Sequence, residues 1–120
     1  GVVGYCMGGG LALVLATQRP DAVAAAAPYY GAIPWPSVQP DWANLGAKVV
    51  GEYAENDGWA SPEAARALEA QLRELGKDAT VHIHAGADHA FFNDARPEVY
   101  DAEASKVAFD RTVELFRTTL

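Results

Sequence analysis

The chain of 120 residues has a single cysteine, Cys6. No internal disulfide can form, so the fold does not depend on oxidation, and the thiol is either buried filler or a reactive group. Basic residues are scarce as well, with nine Lys and Arg against sixteen Asp and Glu and a formal charge of −7. The acids are spread through helical segments and not gathered in a tail, a pattern that argues against nucleic acid or an anionic membrane as partner. No apolar run approaches the roughly 20 residues of a membrane span, and no basic stretch followed by an apolar one resembles a signal peptide. A cytoplasmic setting is therefore expected. Repeats, linkers and low-complexity tracts are missing, and so is an initiator methionine. Gly1-Val2-Val3-Gly4-Tyr5 reads as a strand already under way, so a fragment is expected.

Half of the residues are apolar, enough for one core and one domain over residues 1–120. Val2 to Tyr5 is β-like, and Gly8 to Gln18 suits a buried helix that closes at Arg19-Pro20. Val23 to Ala27 is an apolar run of strand length. Residues 31–46, with Pro34, Pro36, Pro40, Trp35 and Trp42, form neither helix nor central strand and are expected to make a loop covering a site. Ala47 to Tyr53 predicts a third strand, followed by the turn Glu55-Asn56-Asp57-Gly58. Ser61 and Pro62 open a helix in which Ala65, Leu68, Leu72 and Leu75 recur at helical spacing, and Gly76 ends it. Thr80 to His84 is the fourth strand and Gly86 to Pro97 a loop. Glu98 to Phe116 is expected as a final amphipathic helix, with Val107, Phe109, Val113 and Phe116 toward the core. The alternation implies an α/β fold, with about four mostly parallel strands flanked by helices, and ligands in such sheets gather at the C-terminal strand ends.

Cys6, Asp57 and His89 each fall just past the end of a different strand. Gly4-Tyr5-Cys6-Met7-Gly8-Gly9 has the form of a sharp strand-to-helix turn that lifts the middle side chain above the sheet, with glycines two places either side expected to permit close packing. The N–H groups opening the helix, Met7 first, favour a thiolate and can hold an oxyanion. The competing reading is a dinucleotide-binding loop. It fits poorly, because Cys6 stands where the second glycine of that fingerprint belongs and Pro28-Tyr29-Tyr30 ends the next strand without a ribose-binding acid. Nucleophile, acid, histidine is the chain order of α/β-hydrolases. His89 is the candidate base and Asp57 the carboxylate that orients it, with Glu52, Glu55 and Asp88 as rival acids. Blander readings stand beside these: Asp57 suits an Asn-Asp-Gly turn for backbone reasons alone, and a loop histidine is often merely exposed. His82, His84 and His89 could form a three-histidine zinc site, but His-x-His more commonly marks a solvated strand face, so no metal is expected. Tyr30, Trp35, Trp59 and Phe91 are candidate pocket residues.

With Gly-Tyr-Cys-Met-Gly-Gly at 4–9, Pro-Tyr-Tyr-Gly at 28–31, Tyr-Ala-Glu-Asn-Asp at 53–57 and Ala-Asp-His-Ala-Phe-Phe-Asn-Asp-Ala-Arg-Pro at 87–97, the chain resembles the dienelactone hydrolase family, the carboxymethylenebutenolidases, from end to end. The resemblance implies a Cys-Asp-His triad carried by Cys6, Asp57 and His89, no cofactor, and hydrolysis of small esters or lactones through a thioester. It also implies a domain about twice this length, whose remaining part would supply half the sheet and a second oxyanion N–H. Asn93 stands where members that cleave dienelactone carry an arginine. A sheet cut beside the nucleophile strand would leave an open edge, where a homodimer or the remaining half is the expected partner. An inactive fragment or a binding module acting through that edge is the alternative.

Overall fold

A computed structural model describes residues 1–120. Four strands, β1 (Val2–Tyr5), β2 (Ala25–Tyr29), β3 (Lys48–Ala54) and β4 (Ala79–His84), alternate with three helices, α1 (Met7–Gln18), α2 (Pro62–Glu74) and α3 (Ala102–Thr119). The strands are all parallel and lie in the order β1-β2-β3-β4, so their order in space is their order in sequence. Side chains alternate across a strand, and β2 shows what this does. Ala25, Ala27 and Tyr29 enter a cluster with Ala104, Ala108 and Leu115 of α3. Ala26 enters another with Leu13 of α1 and Leu72 of α2. Helices therefore cover both faces of the sheet, the expected α/β arrangement.

Local chemistry sets the element ends. Ser61 accepts from the Ala64 N–H at 3.2 Å with Pro62 following, and Asp101 accepts from the Ala104 N–H at 3.0 Å. Each satisfies a donor that the first turn of a helix leaves free. Asp101 also accounts for a difference from expectation: α3 begins at Ala102, not at Glu98, because residues 96–100 close a turn through the Val99 and Tyr100 N–H groups on the Arg96 carbonyl. β2 lies two residues later than the apolar run and includes Pro28. Its register with β3 passes over Ala27 and Pro28, and proline has no N–H to give a ladder.

The buried face of α3 also departs from expectation. Ala104, Ala108, Thr112 and Leu115 face the sheet, while Phe109 is half exposed and Val107 exposed. Small side chains let the helix sit close enough for the Tyr29 hydroxyl to meet Thr112 Oγ1 at 2.8 Å, a contact that a face led by Phe109 would hold off. Residues 31–46 contain two short 3₁₀ turns, Pro36–Val38 and Trp42–Asn44. They flank a cavity of about 330 Å³ that Leu13 of α1 and Leu68 of α2 also line, so this segment covers the α1/α2 side and not the Cys6 turn.

β1 forms one edge of the sheet, with Val3 and Tyr5 exposed, and Met7, Leu11 and Leu15 are exposed in a row along α1. A helix apolar on all sides belongs in an interior, and this one is covered on one side only. No helix is long and apolar enough to cross a membrane.

Candidate active site

The turn between β1 and α1 is held by backbone contact. A Cβ on Gly4 would stand 2.0 Å from the Gly8 carbonyl oxygen, so strand and helix meet with no room for a side chain. A Cβ on Gly8 would meet nothing within 4 Å, which corrects the expectation that glycines are needed symmetrically about the cysteine. The crowding continues instead at Gly10, where a Cβ would lie 2.4 Å from the Ala32 carbonyl oxygen. The same turn drives Cys6 to φ 57° and ψ −124°. Its N–H is tied to the Tyr29 carbonyl at 3.0 Å. Met7 is the first residue of α1, and its N–H has no acceptor within the helix.

Three residues other than glycine have positive φ: Cys6, Tyr30 at 36° and Ala90 at 68°. All three line one open depression of about 410 Å³, together with Tyr5, Phe92, Asn93 and Asp94. Strained backbone persists only where the surrounding structure over-determines it, and it gathers at functional sites. Here the strain falls at the ends of β1 and β2 and in the loop after β4.

Over this depression the side chains expected from the sequence come together. His89 Nε2 lies 3.1 Å from Cys6 Sγ, and His89 Nδ1 lies 2.6 Å from Asp57 Oδ2. The Asp57 side chain is fully buried, and its other oxygen accepts the Trp59 and Ala60 N–H groups at 2.8 and 2.9 Å. That double acceptance fixes the carboxylate, which in turn fixes the ring. The arrangement can hold Nδ1 protonated toward Asp57 and leave Nε2 free to take the thiol proton.

Of the rival acids, Glu55 is exposed and accepts from the Gly86 N–H. Glu52 is buried and bonds a different histidine, His84, at 2.6 Å, together with Arg111 at 3.2 Å. Asp88, next to His89 in sequence, does not bond its ring. His84 is thus tied to Glu52 while His89 bonds Cys6 and Asp57, and no group of histidine, cysteine and carboxylate side chains has a metal-holding arrangement. His-x-His was expected to be a solvated strand face, but His84 is 9% exposed. His82, half-buried, has its pKa lowered chiefly by burial.

The Glu52 carboxylate carries consequences for stability, because its second oxygen is buried with no partner. Removing one member of a buried pair strands the others. Glu52→Ala is expected to lower stability by about 3–5 kcal/mol, read as a shift in the urea midpoint at unchanged slope. Arg111→Ala should cost less, since that side chain is 37% exposed and water replaces much of what it loses. Equal losses in the two variants would contradict this account.

The candidate pocket residues separate. Tyr30 lines the depression and packs on His89 with ring centroids 4.9 Å apart, and burial raises its phenol pKa to about 12 against a Phe92 N–H that lowers it. Trp59 stands edge-on to His89 at 5.4 Å. Phe91 is fully buried behind Tyr30, at 5.3 Å, and its neighbour Phe92 takes the place at the depression. Trp35 is exposed and does not reach it. The sequence points to Phe91 as the pocket residue, and the structure corrects this to its neighbour Phe92. Sequence reasoning passed over Tyr5 and Asp94 altogether, although Tyr5 adjoins the cysteine and Asp94 lies five residues past the histidine.

Residues 1–120 match the dienelactone hydrolase family throughout. Among curated relatives, "Protein usf" of Aquifex pyrophilus is 30% identical over 120 residues, covering all of this chain and 51% of the relative. A "Putative carboxymethylenebutenolidase" of Saccharolobus solfataricus is 34% identical over 117 residues, covering 96% of this chain and 42% of the relative. The chain thus spans about half the length of these relatives. Among solved structures, the crystal structure of a "Putative Dienelactone Hydrolase" from Klebsiella pneumoniae superposes with a TM-score of 0.85 at 26% identity, over 96% of this chain and 50% of that one. Matched along its whole length and sharing the α/β-hydrolase fold of these proteins, the chain belongs to the dienelactone hydrolase family.

Proposed function

We propose that the chain carries the catalytic groups of a cysteine hydrolase acting on small esters or lactones, with Cys6 as nucleophile, His89 as base and then acid, and Asp57 as the group that orients His89. The observation that supports this most directly is the continuous bonding from Cys6 Sγ through both nitrogens of His89 to a buried carboxylate. In the first half-reaction the thiol proton passes to His89 Nε2, the sulfur bonds to the ester carbonyl carbon, and the C–O bond breaks as the leaving alkoxide receives that proton from His89. In the second half-reaction water gives a proton to His89 and attacks the thioester. The C–S bond breaks, the carboxylic acid leaves, and the proton returns to sulfur. The Met7 N–H at the head of α1 is one donor for the oxyanion of each tetrahedral intermediate. These groups and water balance the reaction.

A second reading is a module without turnover that associates through the β1 edge. The exposed row of Met7, Leu11 and Leu15 beside that edge favours it, since unpaired strand edges and apolar patches both invite a partner chain. Under this reading the partner is a second copy or a further stretch of the same polypeptide. One experiment separates the two. The hydrolase reading expects a burst of p-nitrophenol from p-nitrophenyl acetate and selective alkylation of Cys6 by iodoacetamide near neutral pH. Turnover should fall by at least about a hundredfold in Cys6→Ala and in His89→Ala. Full activity in either variant sinks that reading, and the absence of both burst and alkylation supports the module.

A further inference from the structure

Of the seven residues lining the Cys6 depression, three are aromatic, one is a carboxylate and none is a cation. Tyr5 and Phe92 stack at 5.2 Å with planes 20° apart and form one wall, and Tyr30 forms another. Asp94 stands at the rim, solvent-exposed, and takes part in none of the ion pairs of the chain. Its charge is therefore left to act on whatever enters. The Asp57 charge, by contrast, is fully buried and bonded to His89 and two backbone N–H groups.

We propose that the depression selects apolar, uncharged acyl groups and that Asp94 is the specificity residue that turns away acyl groups bearing a carboxylate. This rests on the reading of Cys6 as the acyl acceptor. Aromatic walls reward an apolar chain by removing its surface from water. A carboxylate sharing the depression would lose part of its hydration and meet a like charge, with no guanidinium or ammonium among the lining groups to offset either effect. Exposure of Asp94 to solvent keeps the repulsion modest, and it would act on the choice between substrates more than on the rate for a neutral one.

Two substrates of similar size test the point, p-nitrophenyl butyrate and p-nitrophenyl hemisuccinate, compared by kcat/KM in the protein and in Asp94→Asn and Asp94→Lys. The unaltered protein is expected to prefer butyrate. The hemisuccinate-to-butyrate ratio should rise roughly three- to fivefold in Asp94→Asn and about tenfold or more in Asp94→Lys, and the gain should shrink in high salt. Preference for hemisuccinate in the unaltered protein, or a ratio that neither substitution moves, overturns the proposal. Iodoacetate and iodoacetamide supply a readout that needs no turnover. Each forms one S–C bond at Cys6 and releases iodide, and they differ in charge. If no ester is cleaved but the iodoacetate-to-iodoacetamide rate ratio rises with the residue 94 substitutions, charge selection stands and the hydrolase reading falls. If butyrate is cleaved while both ratios stay fixed, the hydrolase reading stands and this one falls.

Discussion

Asp57→Asn should retain the fold and lose the chemistry. The two N–H groups of Trp59 and Ala60 can still bond the amide oxygen in the place of Oδ1. The amide nitrogen then stands where Oδ2 accepted from His89 Nδ1 at 2.6 Å. A donor facing that position forces Nδ1 to accept, so the ring proton moves to Nε2, and Nε2 can no longer take the thiol proton. We expect kcat/KM on a small p-nitrophenyl ester to fall by about 10³–10⁴-fold, with the melting temperature within a few degrees of the parent. Retained activity within tenfold of the parent, in a folded variant, would show that Asp57 does not orient the base. An unfolded variant would show instead that its negative charge is needed to hold the Glu55–Ala60 turn.

The second large effect falls on Gly4, and it makes the turn around Cys6 a test of packing independent of catalysis. A methyl at Gly4 would be driven to 2.0 Å from the Gly8 carbonyl oxygen. Because the obstruction is backbone on a helix pinned by its own hydrogen bonds, nothing can swing aside. Gly4→Ala should therefore cost more than about 4 kcal/mol, the range reserved for severe steric or burial defects, or prevent folding altogether. Gly8→Ala meets open space and places a better helix former near the start of α1, so it should be neutral or stabilising by up to about 1 kcal/mol. Paired urea melts decide the matter. Similar losses in both variants would return the turn to the symmetric reading, and a tolerated Gly4→Ala would mean that β1 and α1 are less closely joined than described.

The gathering of Cys6, Asp57 and His89 at one end of the sheet was legible in the sequence because it follows from chain punctuation. Asp57 and His89 each come directly after an apolar run that ends at a turn, and a parallel sheet brings such ends to one side. The turn by itself leaves Glu55 as a rival to Asp57, since both lie on it, and the family resemblance is what favours Asp57. In the fold the choice rests on which carboxylate points inward, and that is decided by the Trp59 and Ala60 N–H groups bonded to Asp57. What escaped was set by closeness of approach, which periodicity does not encode. The helix α3 turns Ala104 and Ala108 to the sheet in preference to Phe109, because small side chains admit the contact between Tyr29 and Thr112. Gly8 was counted with Gly4 because both are glycines of one motif, although only Gly4 lies against backbone. His84 gave no sign of its buried carboxylate, because Glu52 is 32 residues away and meets it only through the pairing of β3 with β4.

The order of the strands also constrains the path by which the site is assembled. Each ladder joins segments adjacent in the chain, so pairing can spread from either end of the sheet without threading one connection past another. The contact between Cys6 and His89 spans 83 residues. Made first, it would close a loop at an entropic cost of roughly 4 kcal/mol by the logarithmic length dependence. Made after the ladders, it closes almost nothing. The loop-closure cost therefore favours forming the sheet before the site, and the thiol is expected to meet its histidine late in folding.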